Sequence, residues 1–71
     1  VNEIVRFAIA QYGSQKKLAD ACGVTQGAVW KWLHGQNEIS PQYVYAISRA
    51  TDGHFKPHQI RPDLPELFPQ P

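Results

Sequence analysis

The segment TQGAVWKWL, residues 25–33, gathers the side chains best suited to recognition chemistry. Thr25 brings a hydroxyl that can cap a helix, Gln26 an amide with both a donor and an acceptor, Lys31 a cation, and Trp30 and Trp32 two large rings. On a helix, positions 30 and 32 point about 200° apart, so one face cannot take both indoles. Trp32 is expected in the core. Trp30 is expected outside, where its ring either meets a partner or lies flat on a neighbouring helix. This chemistry is hydrogen bonding and charge pairing rather than bond making. Catalysis needs a nucleophile or an acid–base pair held beside a pocket, and here Asp20 and Cys22 look accidental. His34 has no acidic partner in sequence and reads as a solvated loop histidine. The chain is not read as an enzyme, and no cofactor is expected. No metal site is expected either, because Cys22, His34, His54 and His58 show none of the usual zinc ligand pairs.

The elements that must position these residues are helical. Asn2 can cap a first helix running to about Tyr12, with Ile4, Val5, Ala8, Ile9 and Tyr12 on its apolar side. Gly13 ends it, and Ser14 precedes QKKLADAC, where Leu18, Ala19 and Cys22 form a second buried stripe. Gly23 suits a left-handed residue closing that helix. Thr25 then caps a third helix after a link of about two residues, so the pair must meet steeply around small side chains. Val29, Trp32 and Leu33 face inward there, and Gln26, Gly27, Trp30 and Lys31 lie outward or at the margins. HGQNEI, residues 34–39, reads as a turn-rich connection. Ser40-Pro41 starts a fourth helix to about Thr51 that buries Val44, Ile47 and one of Tyr43 or Ala50, and Asp52-Gly53 stops it. Pro57 opens a single turn through Ile60. Four of the six prolines fall in the last ten residues, which makes PDLPELFPQP an extended tail. Leu64, Leu67 and Phe68 imply that part of it lies along the domain or a second subunit, or docks another protein.

Size and charge set the class. Seventy-one residues suffice for one small domain whose core must be well filled or helped by an oligomer interface. The expected division is a helix-turn-helix domain over residues 1–61 and a proline-rich tail over 62–71. A single cysteine cannot form an internal disulfide, which fits a reducing compartment. No run of 18 apolar residues or basic leader with an apolar stretch occurs, so neither a membrane span nor a secretion signal is expected. Residues 1–36 carry four cations and two carboxylates, residues 37–71 three and four, which sums to +1. The amino-terminal half is mildly basic. That is compatible with a nucleic-acid partner and equally with a solvated mixed surface.

QKKLADACGVTQGAVWKWL, followed by ISPQYVYAISRATDG and KPHQIRPDL, resembles the helix-turn-helix of small Cro-like and YdaS-like regulators of prophage or toxin–antitoxin type. Ile60-Arg61-Pro62-Asp63 stands where that family carries an LRPD segment, and the likeness covers about residues 8–68. It implies an all-α bundle of four to five helices that binds double-stranded DNA at an inverted-repeat operator as a homodimer. A cytoplasmic, nucleoid-associated protein follows, with a toxin protein as a possible partner. The third helix would enter the major groove while the second crosses the backbone. Gln26, Gly27 and Trp30 are then the base-reading candidates. Gln26 has the donor and acceptor that adenine needs, Gly27 either allows close approach or removes a contact, and Trp30 departs from the family's smaller polar residue. The indole would pack on a thymine methyl or a sugar, or else cover an apolar gap. Gln15, Lys16, Lys17, Thr25, Lys31 and Tyr43 are the phosphate candidates, with Lys31 the strongest of the lysines. Tyr43 is expected on the outside, and Tyr45 is unassigned. The competing class is an antitoxin or protein-binding module acting through the tail.

Overall fold

The computed structural model describes residues 1–70, and Pro71, the last residue of the expected tail, lies outside them. Local signals account for each helix start. The Asn2 side chain accepts hydrogen bonds from the amides of Ile4 (3.0 Å) and Val5 (3.1 Å) and opens α1 (Glu3–Tyr12). Ser14 accepts from Lys17 N at 3.1 Å and opens α2 (Gln15–Cys22). Thr25 does the same with Ala28 N at 3.2 Å for α3 (Gln26–Leu33). Each cap satisfies an amide that has no partner inside its helix. α4 (Pro41–Ala50) and the single turn α5 (Pro57–Ile60) both begin with proline, whose missing N–H costs nothing in the first turn. Ser40 stands at the expected cap of α4 but makes no side-chain cap bond, so proline geometry alone sets that start. Gly23 closes α2 at φ 73°, a left-handed backbone that a side chain would strain.

The result is an all-α bundle of five helices, with no strand among the described residues. α2 packs most closely on α3, α1 lies against α2, α3 and α4, and α5 rests on α4. One core holds Val5, Ala8, Leu18, Ala19, Val29, Trp32, Ile39, Val44, Ile47, Ala50, Ile60 and Phe68. No helix is long and apolar enough to cross a membrane.

Several side chains differ from their expected places. Tyr12, expected on the apolar side of α1, is 40% exposed on its last turn. Ile39 is buried although its segment carries no periodic signal. Tyr43 is half-buried with its ring 5.7 Å from that of Trp32, and Tyr45 is the exposed tyrosine. The outside position expected for Tyr43 is thus corrected. It lies four residues before Ile47 and seven before Ala50, on the buried row of α4. Polar groups are buried as well. Thr51 Oγ1 donates to Ser48 O (2.7 Å) and accepts from Phe55 N (3.1 Å), while Ser48 Oγ donates to Phe55 O (2.8 Å). This net ties the end of α4 to the loop that follows it.

The last residues are locally coiled. Leu64 N donates to Arg61 O, and Phe68 N donates to Leu64 O at 2.9 Å, which turns Phe68 into the core at 5% exposure. Arg61 holds this region in place. Its guanidinium forks onto Asp63 (2.9 and 2.8 Å) and reaches across 22 residues to Ile39 O at 2.7 Å.

Candidate nucleic-acid interface

Three residues, Gly23, Val24 and Thr25, join α2 to α3, and the amide of Val24 bonds back to Ala19 O at 3.0 Å. The tight link fixes the angle between the helices and leaves one side of α3 uncovered. Val29 and Trp32 anchor its inner side, with Ala28 and Leu33 half-buried beside them. The carboxyl end is also held, because Asn2 N donates to Leu33 O at 2.8 Å. α3 is therefore a rigid rod gripped along one side and at both ends.

Its uncovered side carries Gln26, Gly27, Trp30, Lys31 and His34, all exposed. Trp30 is 42% exposed and Trp32 4%, the division expected from their angular separation. Trp30 stacks on His34 with centroids 4.3 Å apart and planes tilted by 40°. His34 is thus exposed in the turn after α3, as expected, with its ring held against the indole, and its four-residue spacing from Trp30 was the signal for the pairing. Gly27 has an ordinary helical backbone, and a methyl group there would meet only Thr25 Oγ1, at 3.8 Å.

The cations differ in availability. Lys31 has no ion-pair partner among the described residues. Lys16 Nζ lies 3.5 Å from Asp20 Oδ2, with both groups largely exposed, a pairing weak enough in water to open for a stronger anion. The Lys17 side chain runs past Gly13. Gln15 is half-buried at the start of α2, where first-turn amides have no partner inside the helix.

Thr25 and Tyr43 meet on a polar groove of about 600 Å³ between the α2–α3 link and the start of α4. Asn37, Glu38 and Ser40 complete its wall. Loop residues such as Asn37 escape sequence reasoning because no periodicity assigns them a face. Glu38 is a carboxylate within the groove, partly neutralised by Arg61 Nε at 3.8 Å.

Burial pushes the Cys22 thiol up, with Arg49 opposing the shift, and so favours its protonated form. Among the described residues no group of three His, Cys, Asp or Glu side chains is placed to hold a metal ion.

Comparison with known proteins places the chain beside a bacterial family. A family model described as "Bacterial toxin YdaS" matches residues 5–67. The chain is also similar to "Putative transcriptional regulator YdaS" of Escherichia coli (strain K12), at 32% identity over 63 residues, covering 89% of this chain and 64% of that protein. It therefore spans just under two thirds of the length of that curated relative. No solved structure gives a significant match.

Proposed function

The chain belongs to the YdaS family, and we propose that it is a sequence-specific double-stranded DNA-binding regulator, a Cro-type repressor that occupies an inverted repeat as a dimer. The observation that carries this reading is the exposed row on a clamped α3: Gln26, Gly27, Trp30 and Lys31 face out while Val29 and Trp32 lock the other side. A rod of this kind fits the major groove and presents its first residues to base edges. Gln26 reads an adenine through its amide, Gly27 lets the backbone come close, and Trp30 covers a thymine methyl or a sugar. Gln15 and Thr25 meet phosphates at the starts of α2 and α3, and Lys16, Lys17 and Lys31 supply charge. Tyr43 can join them only by its hydroxyl, since its ring is engaged with Trp32.

Two copies are required because one such motif covers few base pairs. The longest extent of the fold is 31 Å, and half-sites one helical turn apart are separated by about 34–36 Å, so two copies stand side by side.

Selection of genomic fragments with the purified protein, followed by titrations at two salt concentrations, tests the reading. Recovery of a short inverted repeat is expected, with Gln26→Ala losing about 1–3 kcal/mol of discrimination at one base pair per half-site. Enrichment of no fragment, with only weak salt-sensitive binding, would sink it.

A second reading, an antitoxin or protein-binding module, has one observation in its favour. Leu67 (56% exposed) lines a groove formed by residues 63–67, and Tyr45 (55%) is exposed with its ring against Phe68. Leu67→Asp would then abolish capture of a partner protein while leaving the DNA affinity of the monomer intact.

A further inference from the structure

Gln26 and Trp30 on α3 and His34 at its C-cap, whose amide still bonds to Trp30 O, form a single row. Each four-residue step advances only about 40° around the axis, so the three side chains span roughly 80° of one face. The row is about 12 Å long at 1.5 Å per residue, close to the width of the major groove. A helix that inserts by its first residues climbs out of the groove toward its carboxyl end. With Gln26 at the base edges, His34 is carried to the sugar–phosphate rim.

The structure prepares His34 for that position. Its amide bonds to Trp30 O at 3.0 Å, and its ring is seated on the indole. Backbone and side chain are therefore both oriented before any ligand arrives, which lowers the entropy lost on contact. The charges around it leave the imidazole without an internal acceptor. Asn2, the cap of α1, meets the end of α3 through its amide on Leu33 O, and Glu3 and Arg6 in the first turn of α1 are paired with each other at 3.5 Å. The loop after α3 brings Glu38, which faces Arg61. On α3 itself Lys31 is three residues away and adds positive potential. No carboxylate lies within 4.0 Å of His34 among the described residues.

We infer that His34, seated on Trp30, is a DNA-backbone contact whose imidazole donates to a phosphate at the groove rim and takes up a proton as it binds. The inference rests on the DNA-binding reading above and adds a proton-linked contact to it. A phosphate is the strongest anion the ring can meet there, and it outweighs the opposing field of Lys31 because it is in direct contact.

The test measures affinity for the selected duplex at about pH 6 and about pH 8, on either side of the ordinary histidine range, with salt titrations at both. The wild-type protein is expected to bind roughly 5–10-fold tighter at the lower pH, with a log–log salt slope steeper by about 1. His34→Gln, checked for helix content by circular dichroism at both pH values, is expected to bind like the wild type at the higher pH. It should show less than about a twofold gain at the lower one, since glutamine donates but does not titrate. A flat wild-type profile with intact sequence preference overturns the His34 contact alone. So does a full pH dependence retained in His34→Gln, which assigns the proton to another group such as His54 or His58. Loss of sequence preference at both pH values removes the DNA-binding reading and this inference with it.

Discussion

Gly27 is the least constrained residue of the candidate interface. Its backbone is not left-handed, and an added methyl group would find ordinary contact distance to Thr25 Oγ1. Glycine there gives up helix propensity without a steric need inside the monomer. Gly27→Ala is therefore expected to stabilise the fold by about 0.5 kcal/mol, a rise of roughly 2–4 °C in Tm by thermal denaturation. A more stable variant that binds the duplex less well assigns the missing side chain to close approach of DNA. One that binds equally well assigns it no contact. Thr51 is the opposite case, fully buried and using its hydroxyl twice. Thr51→Val keeps the shape but strands the Phe55 amide. The expected loss is about 1–3 kcal/mol in urea denaturation with little change in m.

At the scale of elements, the Arg61 fork joins the segment after α5 to the loop between α3 and α4. The guanidinium is nearly buried, at 12% exposure, while Asp63 remains 58% exposed. The hydrogen bond from Arg61 holds the Asp63 carboxyl below the ordinary carboxylate range, and the same contact raises Arg61 further above its usual value. The sign follows from linkage. A carboxyl whose folded pKa is depressed contributes stability that is complete above its unfolded value and is lost as pH falls through the folded one. Melting curves should therefore show stability dropping below about pH 4, and Asp63→Asn should flatten that acid limb while lowering Tm at neutral pH. An unchanged acid limb would assign no folding role to the fork. Because Arg61 also holds Ile39 O, the variant should loosen the groove wall at Asn37 and Glu38, visible as faster amide exchange there.

For the molecule as a whole, the question is how much of 71 residues the core needs. Phe68 is nearly buried, with Tyr45 meeting its ring edge-on at 5.5 Å, so the proline-rich segment supplies a core side chain as well as a surface. A domain of this size has only about 4–10 kcal/mol of stability in total. Phe68→Ala, at about 3 kcal/mol or more, should broaden or abolish the cooperative thermal transition. Retention of the wild-type transition would instead make the tail an accessory to the helical core. Tyr45 is exposed while its ring meets Phe68, so a stability loss there would also disturb any copy-to-copy contact formed through it.

The residue pattern by itself determined the helices, their caps and the face of α3 that is left open, since these depend on neighbours within a few positions. Asn2, Ser14 and Thr25 cap as their chemistry requires, Gly23 takes the left-handed turn, and Val5, Leu18, Val29, Trp32, Val44 and Ile47 fall inward by spacing alone. The inward place of Tyr43 was legible too, in its four-residue step to Ile47. Only the tertiary structure decided the burial of Ile39, the Ser48–Thr51–Phe55 net, the reach of Arg61 to Ile39 O and the seating of Phe68. Each depends on which surfaces meet when distant segments close on one another. A loop or tail residue has no period to announce its face, so its place is set by the cavity the helices leave and by the backbone groups that must find partners there.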